Sequence, residues 1–408
     1  MTSLAQAFPS ASVRIYAAFT VVAAAILLAV VVLDFQLAAA QSFPSFVLDP
    51  GGFPVGRDFL NTWMGGRSAF SGGPADWFDY DVYMAALAKV TGIPGLAPMY
   101  WSYPPHLLFL IWPFGLLGFL PSYIVWCVAG LALYVWAAIS CGVERRYWLF
   151  LAVAPAVTVN VFLGQNGFLT AVLLIGGLAN LDRRPILAGI LFGILTIKPQ
   201  LGLLLPILLV LRGHWRVIGS AVVTTALLVA ATAAWFGPEI WMDYWRKVMP
   251  HQHELLEVAG AMRWPIVASA LINARLAGAS ADLAWVVQGV ASAFAVGAVV
   301  WTFWRKRDPV LSMALFVTAT FLFSPWIMNY DMVVFGWIVG LLHQRDNETF
   351  ADQALSLALW MLPILMFPFG FAQIPIAGLI LPLFAARLLW RLADTSNQAS
   401  LATVPASP

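Results

Sequence analysis

The chain has 408 residues, of which 62% are hydrophobic and only 10% charged, and its net charge is +2. A soluble domain carries about 25% charge, so a single aqueous core cannot hide this much apolar surface, and lipid is the expected solvent. The small net charge, with no basic stripe interleaved with aromatics, excludes a polyanionic partner, so no nucleic acid is expected.

The first predicted element is the apolar run 15–40, which follows Arg14. It is far longer than the roughly 7–15 residues of a signal-peptide core, so it reads as an uncleaved first span. Asp34, near its outer end, reads as an interfacial charge reaching toward headgroups. Hydropathy then falls over 41–102, an interval crowded with Gly, Pro and aromatic residues. Two short helices are predicted in it. One starts near Asp58 and runs through Met64 and Ala69. The other starts near Asp79, a candidate cap, and runs through Met84, Leu87 and Val90. The breakers Gly72-Gly73-Pro74 and Gly92-Ile93-Pro94-Gly95 flank the second. Trp63, Phe70, Trp77, Phe78, Tyr80 and Tyr83 suit helices that lie in the interface rather than cross.

The chain re-enters the apolar phase at Tyr103-Pro104-Pro105, and apolar runs recur to residue 389. Several fall short of the roughly 20 residues a full span needs, and about eleven to thirteen spans are expected. Cys127 and Cys141 share one run; fourteen residues apart, they lie about 21 Å apart along a helix, too far for a disulfide. Residues 237–265 form a second outer loop, where Trp241, Tyr244, Trp245, Val248 and Met249 recur at helical spacing. His251 and His253 point to different faces of a helix, and no third ligand has supporting spacing, so no metal is expected and no cofactor is called for. No internal repeat is evident. Residues 1–393 read as one transmembrane domain and 394–408 as a polar, unstructured tail.

Basic residues cluster at Arg145/Arg146, Arg183/Arg184, Arg212/Arg216, Arg305/Lys306/Arg307, Arg345 and Arg387/Arg391. The positive-inside rule turns these ends to the cytoplasm and the two polar loops outward. Placing Asp58 outside requires 104–140 to cross an odd number of times. That segment reads as two helices broken at Pro121, so either one piece is re-entrant or the charge rule fails there.

Asp58 sits in Gly56-Arg57-Asp58-Phe59-Leu60-Asn61-Thr62-Trp63. From the residues alone it either pairs with Arg57, caps a short helix, or serves as a base whose pKa an apolar wall has raised. Asp76, Asp79 and Asp81 are competing carboxylates in the same loop, read as caps and interfacial solvation. Lys198 is the best intramembrane cation. It snorkels, pairs with an acid, or meets a phosphate. Arg263, beside Trp264, and His106, one turn into a span, are the other candidate phosphate neighbours, although core packing accounts for a lone His. Gln165 and Asn166 mark a turn at membrane depth, where backbone groups need partners.

Five motifs stand in order along the chain: Arg57-Asp58-Phe59, Tyr103-Pro104-Pro105, Gly164-Gln165-Asn166-Gly167, Lys198-Pro199-Gln200 and Ser324-Pro325-Trp326. In this order the chain resembles the multi-spanning GT-C glycosyltransferases, and within them glycosyltransferase family 87 (DUF2029), over most of its length from Gly56 to Asp331. The resemblance implies an all-α polytopic membrane protein and an inverting transferase. Such an enzyme moves a hexose, with mannose leading, from a polyprenyl-phosphate donor to a lipid or glycan acceptor. The expected place is the outer face of the cell's inner (plasma) membrane, with membrane lipids around the chain. It implies Asp58 as base, and Arg57, Tyr103, His106, Gln165, Asn166, Lys198, Arg263, Asn329 and Tyr330 at the substrate. In one departure, Asn329-Tyr330-Asp331 stands where the family often carries a His. An Asn hydrogen-bonds a sugar hydroxyl but brings no charge to a phosphate, and Asp331 reads as a helix cap. A transporter or flippase of a lipid-linked solute is the alternative. It calls for two similar halves with broken spans, and no such symmetry is evident. A polymerase or ligase calls for its large outer loop late in the chain, whereas here the first loop is the larger.

Overall fold

The computed structural model describes residues 11–40, 52–69, 78–93, 96–304, 307–345 and 348–402. The breaker Gly72-Gly73-Pro74, Phe70, Asp76, Trp77, and the Pro94-Gly95 pair lie outside them. The described residues form nineteen α-helices joined by short turns, with one isolated bridge, Val267 to Met328, and no strand.

α1 (Ala11–Ala40) leads into two short loop helices, α2 (Phe59–Ser68) and α3 (Tyr80–Thr91). Asp79 caps α3 as expected, its Oδ1 accepting from the Asp81 and Val82 N–H groups. Then follow α4 (Leu108–Gly115), α5 (Phe119–Ser140), α6 (Trp148–Ala152), α7 (Pro155–Leu163), α8 (Gly167–Ala179), α9 (Pro185–Leu195) and α10 (Leu205–Leu211). α11 (Trp215–Phe236) precedes the second polar loop, which holds α12 (Glu239–Asp243) and α13 (Met249–Met262) joined by a π-helical turn, Tyr244–Val248. The chain closes with α14 (Ala270–Leu276), α15 (Ala281–Phe303), α16 (Pro309–Phe323), α17 (Val333–His343), α18 (Phe350–Phe371) and α19 (Ile376–Ala402). α19 continues past the end of the apolar stretch, so residues 394–402 are helical rather than an unstructured tail.

Six of these helices are long and apolar enough to cross a membrane, or seven if Arg145–Ala152 and Pro155–Leu163, bent by 47°, count as one span. Five shorter apolar helices accompany them. The protein is an all-α polytopic membrane protein. Every residue of α17 from Val333 to Leu342 is buried. A helix apolar on all sides belongs at the centre of a bundle, and Trp337, Phe335, Phe321, Phe316 and Trp360 fill that centre.

Two expectations change on folding. α2 does not lie on the interface: Phe59, Leu60, Asn61, Thr62, Trp63 and Met64 are all buried. It packs against α4 so closely that a Cβ on Gly115 would collide with the Gly66 backbone. Asp34 does not reach toward headgroups either. It is 8% exposed, and Tyr123, whose hydroxyl lies 2.9 Å from Asp34 Oδ2 and 2.6 Å from the Val161 carbonyl, holds it inside. An aspartate has one methylene, too short a stem to carry its charge out of lipid as a lysine does, so it takes a buried donor.

The crossing puzzle resolves on length. The apolar helix Pro105–Gly115 is about 16 Å long and cannot span about 30 Å of hydrocarbon, whereas the 22-residue α5 can. Trp63 Nε1 donates to the Leu117 carbonyl at 2.9 Å, so the start of α5 lies on the Asp58 side and Arg145 at the opposite end. The Glu144 N–H meets Gln344 there at 3.1 Å, Arg345 meets Asp308 at 2.6 Å, and Arg307 donates to the Leu392 carbonyl at 3.0 Å. These basic clusters share one end of the bundle, away from Asp58.

At that end Asp308 caps α16 by accepting from the Leu311 N–H at 2.9 Å. Burial alone would raise the Asp308 carboxyl. The Arg345 hydrogen bonds, the cap and the Arg345 charge outweigh it and hold the group below its ordinary range. A depressed carboxylate stabilises the fold above the unfolded value, near about 4, and that contribution is lost as pH falls through the folded value. Asp308→Ala is expected to lower stability by about 1–2 kcal/mol at neutral pH, from the lost cap together with the largely buried ion pair. Thermal unfolding in detergent at pH 7 and pH 3 checks this, because the difference from wild type should shrink in acid.

Candidate active site

Four turns converge on the N-terminus of α2. The first is its own entry. Gly56 and Arg57 both hold positive φ, 70° and 35°. For Arg57 this is a strained conformation, worth about 1–3 kcal/mol, of the kind that persists where surrounding structure over-determines it. The Arg57 guanidinium packs over the Phe162 and Phe53 rings, at 4.4 Å and 5.0 Å. Asp58 follows at the N-cap position, but its side chain makes no cap hydrogen bond. The helix-capping reading of Asp58 is thereby set aside.

The carboxylate is instead held by the second turn, between α7 and α8. Gln165 Nε2 donates to Asp58 Oδ2 at 2.7 Å, and the Asp58 N–H donates to the Leu163 carbonyl at 3.0 Å. Gln165 Oε1 accepts from the Tyr103 hydroxyl at 3.2 Å, and the Gln165 carbonyl accepts from Trp126 Nε1 at 3.1 Å. Gln165 thus links Asp58 to Tyr103 through one amide. Gly164 makes the approach possible: its φ is 62°, and a Cβ there would strike the Gly56 carbonyl and Phe59. Gly164→Ala is expected to destabilise the fold by about 1–3 kcal/mol. It should also lower activity beyond what the lost stability explains, because the clash moves Asp58. Comparing residual activity with the folded fraction at one temperature separates the two effects.

The third turn carries Lys198, between α9 and α10, and the fourth is Asn329-Tyr330-Asp331, between α16 and α17. Lys198 is 4% exposed and does not snorkel. Its Nζ forms a 2.5 Å ion pair with Asp331, lies 3.3 Å from Asn166 Oδ1 and sits 4.4 Å from the Tyr330 ring centroid. Asp331 does cap its turn, with Oδ2 accepting from the Met328 N–H at 3.1 Å, and its other oxygen serves Lys198.

Burial pushes the Asp58 carboxyl above its ordinary range, while the Gln165 hydrogen bond and the charges of Arg57 and Lys198 pull it down. Burial, with the charges of Asp58 and Asp331, raises the Tyr103 hydroxyl, which stays protonated and donates. Asp58 is therefore a half-buried carboxylate, raised by its surroundings and held by one amide and the charges of Arg57 and Lys198. That is the environment a general base needs.

The structure brings Asp58, Arg57, Gln165, Asn166, Tyr103, Lys198 and Tyr330 together. His106 Nε2 lies 3.2 Å from the Thr196 hydroxyl, two residues from Lys198, and its Nδ1 is buried with no partner among the described residues. Asn329 is buried with its amide donating to the Pro363 carbonyl at 3.0 Å. Arg263 lies elsewhere, donating to Gln373 at 2.8 Å on the exposed side. His251 and His253 face Glu254 and Glu257 separately, and no group of three metal-ligating side chains occurs among the described residues.

Asn160, which no motif marks, ties two of these turns together. Fully buried, it donates to the Tyr330 carbonyl at 2.7 Å and accepts from the Gly167 N–H at 2.8 Å, tying the second turn to the fourth. Its signal was an amide inside an otherwise apolar run, which needs a partner at that depth.

A family profile of glycosyltransferase family 87 matches residues 101–325, more than half of the chain. It covers the second and third turns and Tyr103, and begins after Asp58. No curated protein and no solved structure matches the chain. This match, over more than half of a chain with a helical membrane architecture, places it in glycosyltransferase family 87, as a membrane-embedded glycosyltransferase.

Proposed function

We propose that the protein is an inverting transferase that moves a hexose, with mannose leading, from a polyprenyl-phosphate donor to a lipid or glycan acceptor. Its site opens on the extracytoplasmic side of the plasma membrane. The single observation that carries this reading is the half-buried Asp58 carboxylate, bonded to Gln165 and within the field of Lys198 and Arg57. In the reaction the acceptor oxygen attacks the anomeric carbon from the face opposite the phosphate. The C1–O bond to phosphate breaks, and the phosphate leaves with the electron pair. The acceptor proton passes to Asp58. Charge grows on the departing phosphate, so preorganised donors there lower the barrier.

Lys198, Asn166 and His106 are the partners proposed for that phosphate, with Arg57 at its edge. Lys198 is neutralised by Asp331 in the free protein, so phosphate binding would have it share its protons between two anions. Tyr103 and Tyr330 are proposed to frame the sugar, and Asn329 to hold its turn. Arg263 is proposed to meet the donor only at the loop edge, where it bonds Gln373. The basic end opposite Asp58 supports an outward site under the positive-inside rule.

The test offers polyprenyl-phosphate mannose, glucose and arabinose, separately, to purified protein with total membrane lipid extract as acceptor. Labelled sugar should appear in the extract from the mannose or glucose donor. Transfer from nucleotide sugars alone would overturn the donor assignment.

A further inference from the structure

At the end of the bundle away from Asp58, a cavity of about 160 Å³ opens where three turns meet. They are the turn from α8 to α9, the turn from α10 to α11, and the turn from α15 to α16, which holds Arg307. The volume is below the roughly 300–1,000 Å³ of a site that encloses a whole small molecule, so the cavity takes a headgroup rather than a pair of acyl chains. The exposed side chains of Trp215 and Trp304 flank the last two turns. In a polytopic membrane protein, tryptophan at helix ends marks headgroup depth.

The charge on these turns selects the class of ligand. Arg183, Arg184, Arg212, Arg216 and Arg307 stand against Asp182 and Asp308. Asp308 is taken by Arg345 at 2.6 Å, and Asp182, with its side chain 85% exposed, lies 3.9 Å from His214. Two of the arginines line the cavity. Arg307 is fixed at its wall, with Nη1 donating to the Leu392 carbonyl at 3.0 Å and the guanidinium 3.6 Å from the Trp301 ring centroid. Arg212 makes no hydrogen bond or ion pair with the protein among the described residues. A guanidinium fork matches the spacing of phosphate oxygens. The rest of the wall is apolar, built by Leu178, Leu208, Phe303 and Met313. Inorganic phosphate gains nothing from such a wall, whereas the glycerol and first methylenes of a lipid leave water against it.

We propose that this cavity binds one anionic phospholipid of the adjacent leaflet. Its phosphate sits between Arg212 and Arg307, and its glycerol lies against Leu208 and Phe303. Asp182 stays in water at the rim, beside His214. Basic pockets between membrane helices hold anionic headgroups by this combination of a fixed cation, a free cation and an apolar floor. Lipid binding here is independent of the reaction at Asp58 and would hold whatever sugar the protein transfers.

Native mass spectrometry of the delipidated full chain in detergent tests this, with phosphatidylglycerol or phosphatidylcholine added. No charged bilayer surface contributes in detergent, so a diffuse field is not mistaken for a site. One phosphatidylglycerol should bind wild type at least about tenfold more tightly than phosphatidylcholine does. Arg212→Gln should lower phosphatidylglycerol affinity by about tenfold, the scale of one charge-assisted hydrogen-bonded partner. Arg216→Gln removes the same charge from an exposed arginine outside the lining and should stay within about threefold of wild type. Arg212 bonds no described group, so its replacement leaves the fold intact, and thermal unfolding without lipid checks that. Phosphatidylglycerol should raise the unfolding temperature of wild type and Arg216→Gln but not of Arg212→Gln, and inorganic phosphate should raise none of them. The proposal is overturned if both lipids bind wild type alike, if Arg212→Gln keeps wild-type affinity, or if Arg216→Gln loses as much as Arg212→Gln. Stabilisation by inorganic phosphate that depends on Arg212 would overturn it too, since the ligand would then be a free anion.

Discussion

Asp58→Asn is expected to lower sugar transfer by about 10²–10⁴-fold, the usual contribution of a positioned general base. The substitution keeps the size of the side chain and a hydrogen-bond acceptor for Gln165, which now donates to Asp58 Oδ2 at 2.7 Å. It removes only the capacity to take a proton. Donor binding should change little, since Lys198 and Asn166 rather than Asp58 are proposed to face the phosphate. Asp81→Asn is the control, an exposed residue in the first turn of α3, and should stay within a few-fold of wild type. The acid limb of the rate has a predictable sign. Burial raises the Asp58 carboxyl, and the base works only when deprotonated, so the rate should fall as pH drops through a value above the ordinary aspartate range near about 4. Labelled-sugar transfer in membranes at matched protein level, measured across pH, checks both statements. Near wild-type transfer by Asp58→Asn would mean that another group takes the proton.

The buried Lys198–Asp331 pair should behave unlike a surface salt bridge. Its side chains are 5% and 0% exposed. Asp331→Leu leaves Lys198 charged, buried and without its carboxylate, so a loss of about 3–5 kcal/mol is expected. Lys198→Met leaves Asp331 in the same position and should cost a similar amount. The double variant removes both charges and fills the space with apolar atoms, so most of the stability should return, because a matched buried pair contributes little net. Activity should not return with it. If Lys198 faces the leaving phosphate, the stable double variant transfers at least 10²-fold more slowly than wild type, the scale of one lost electrostatic partner. Thermal unfolding and transfer rate on the same preparations separate the two roles. A double variant that is both stable and active would make the pair a structural feature alone.

Much of the architecture was legible in the amino-acid sequence because lipid leaves the backbone few choices. Every N–H and C=O in hydrocarbon must be bonded within the chain, so long apolar runs become helices whatever they pack against. The local chemistry of helix ends is equally short-ranged. Asp79 caps α3 with two backbone N–H groups two and three residues away, and that pattern needs no tertiary contact. The polar loop helices and the turns at Tyr103, Gly164 and Lys198 were marked by Gly, Pro and isolated polar residues for the same reason.

The tertiary structure alone decided which polar groups meet. Asp58 and Gln165 are 107 residues apart, and Lys198 and Asp331 are 133 apart. A lysine in an apolar run must find a partner, but whether that partner is lipid headgroup, phosphate or aspartate depends on the rotation of one helix against the next. Hydropathy does not encode that rotation when lipid tails and neighbouring helices are equally apolar. The same ambiguity turned Asp34 inward to Tyr123 and buried α2 against α4. Both outcomes depend on close packing of small residues and on single hydrogen bonds, and those are settled only when the helices come together.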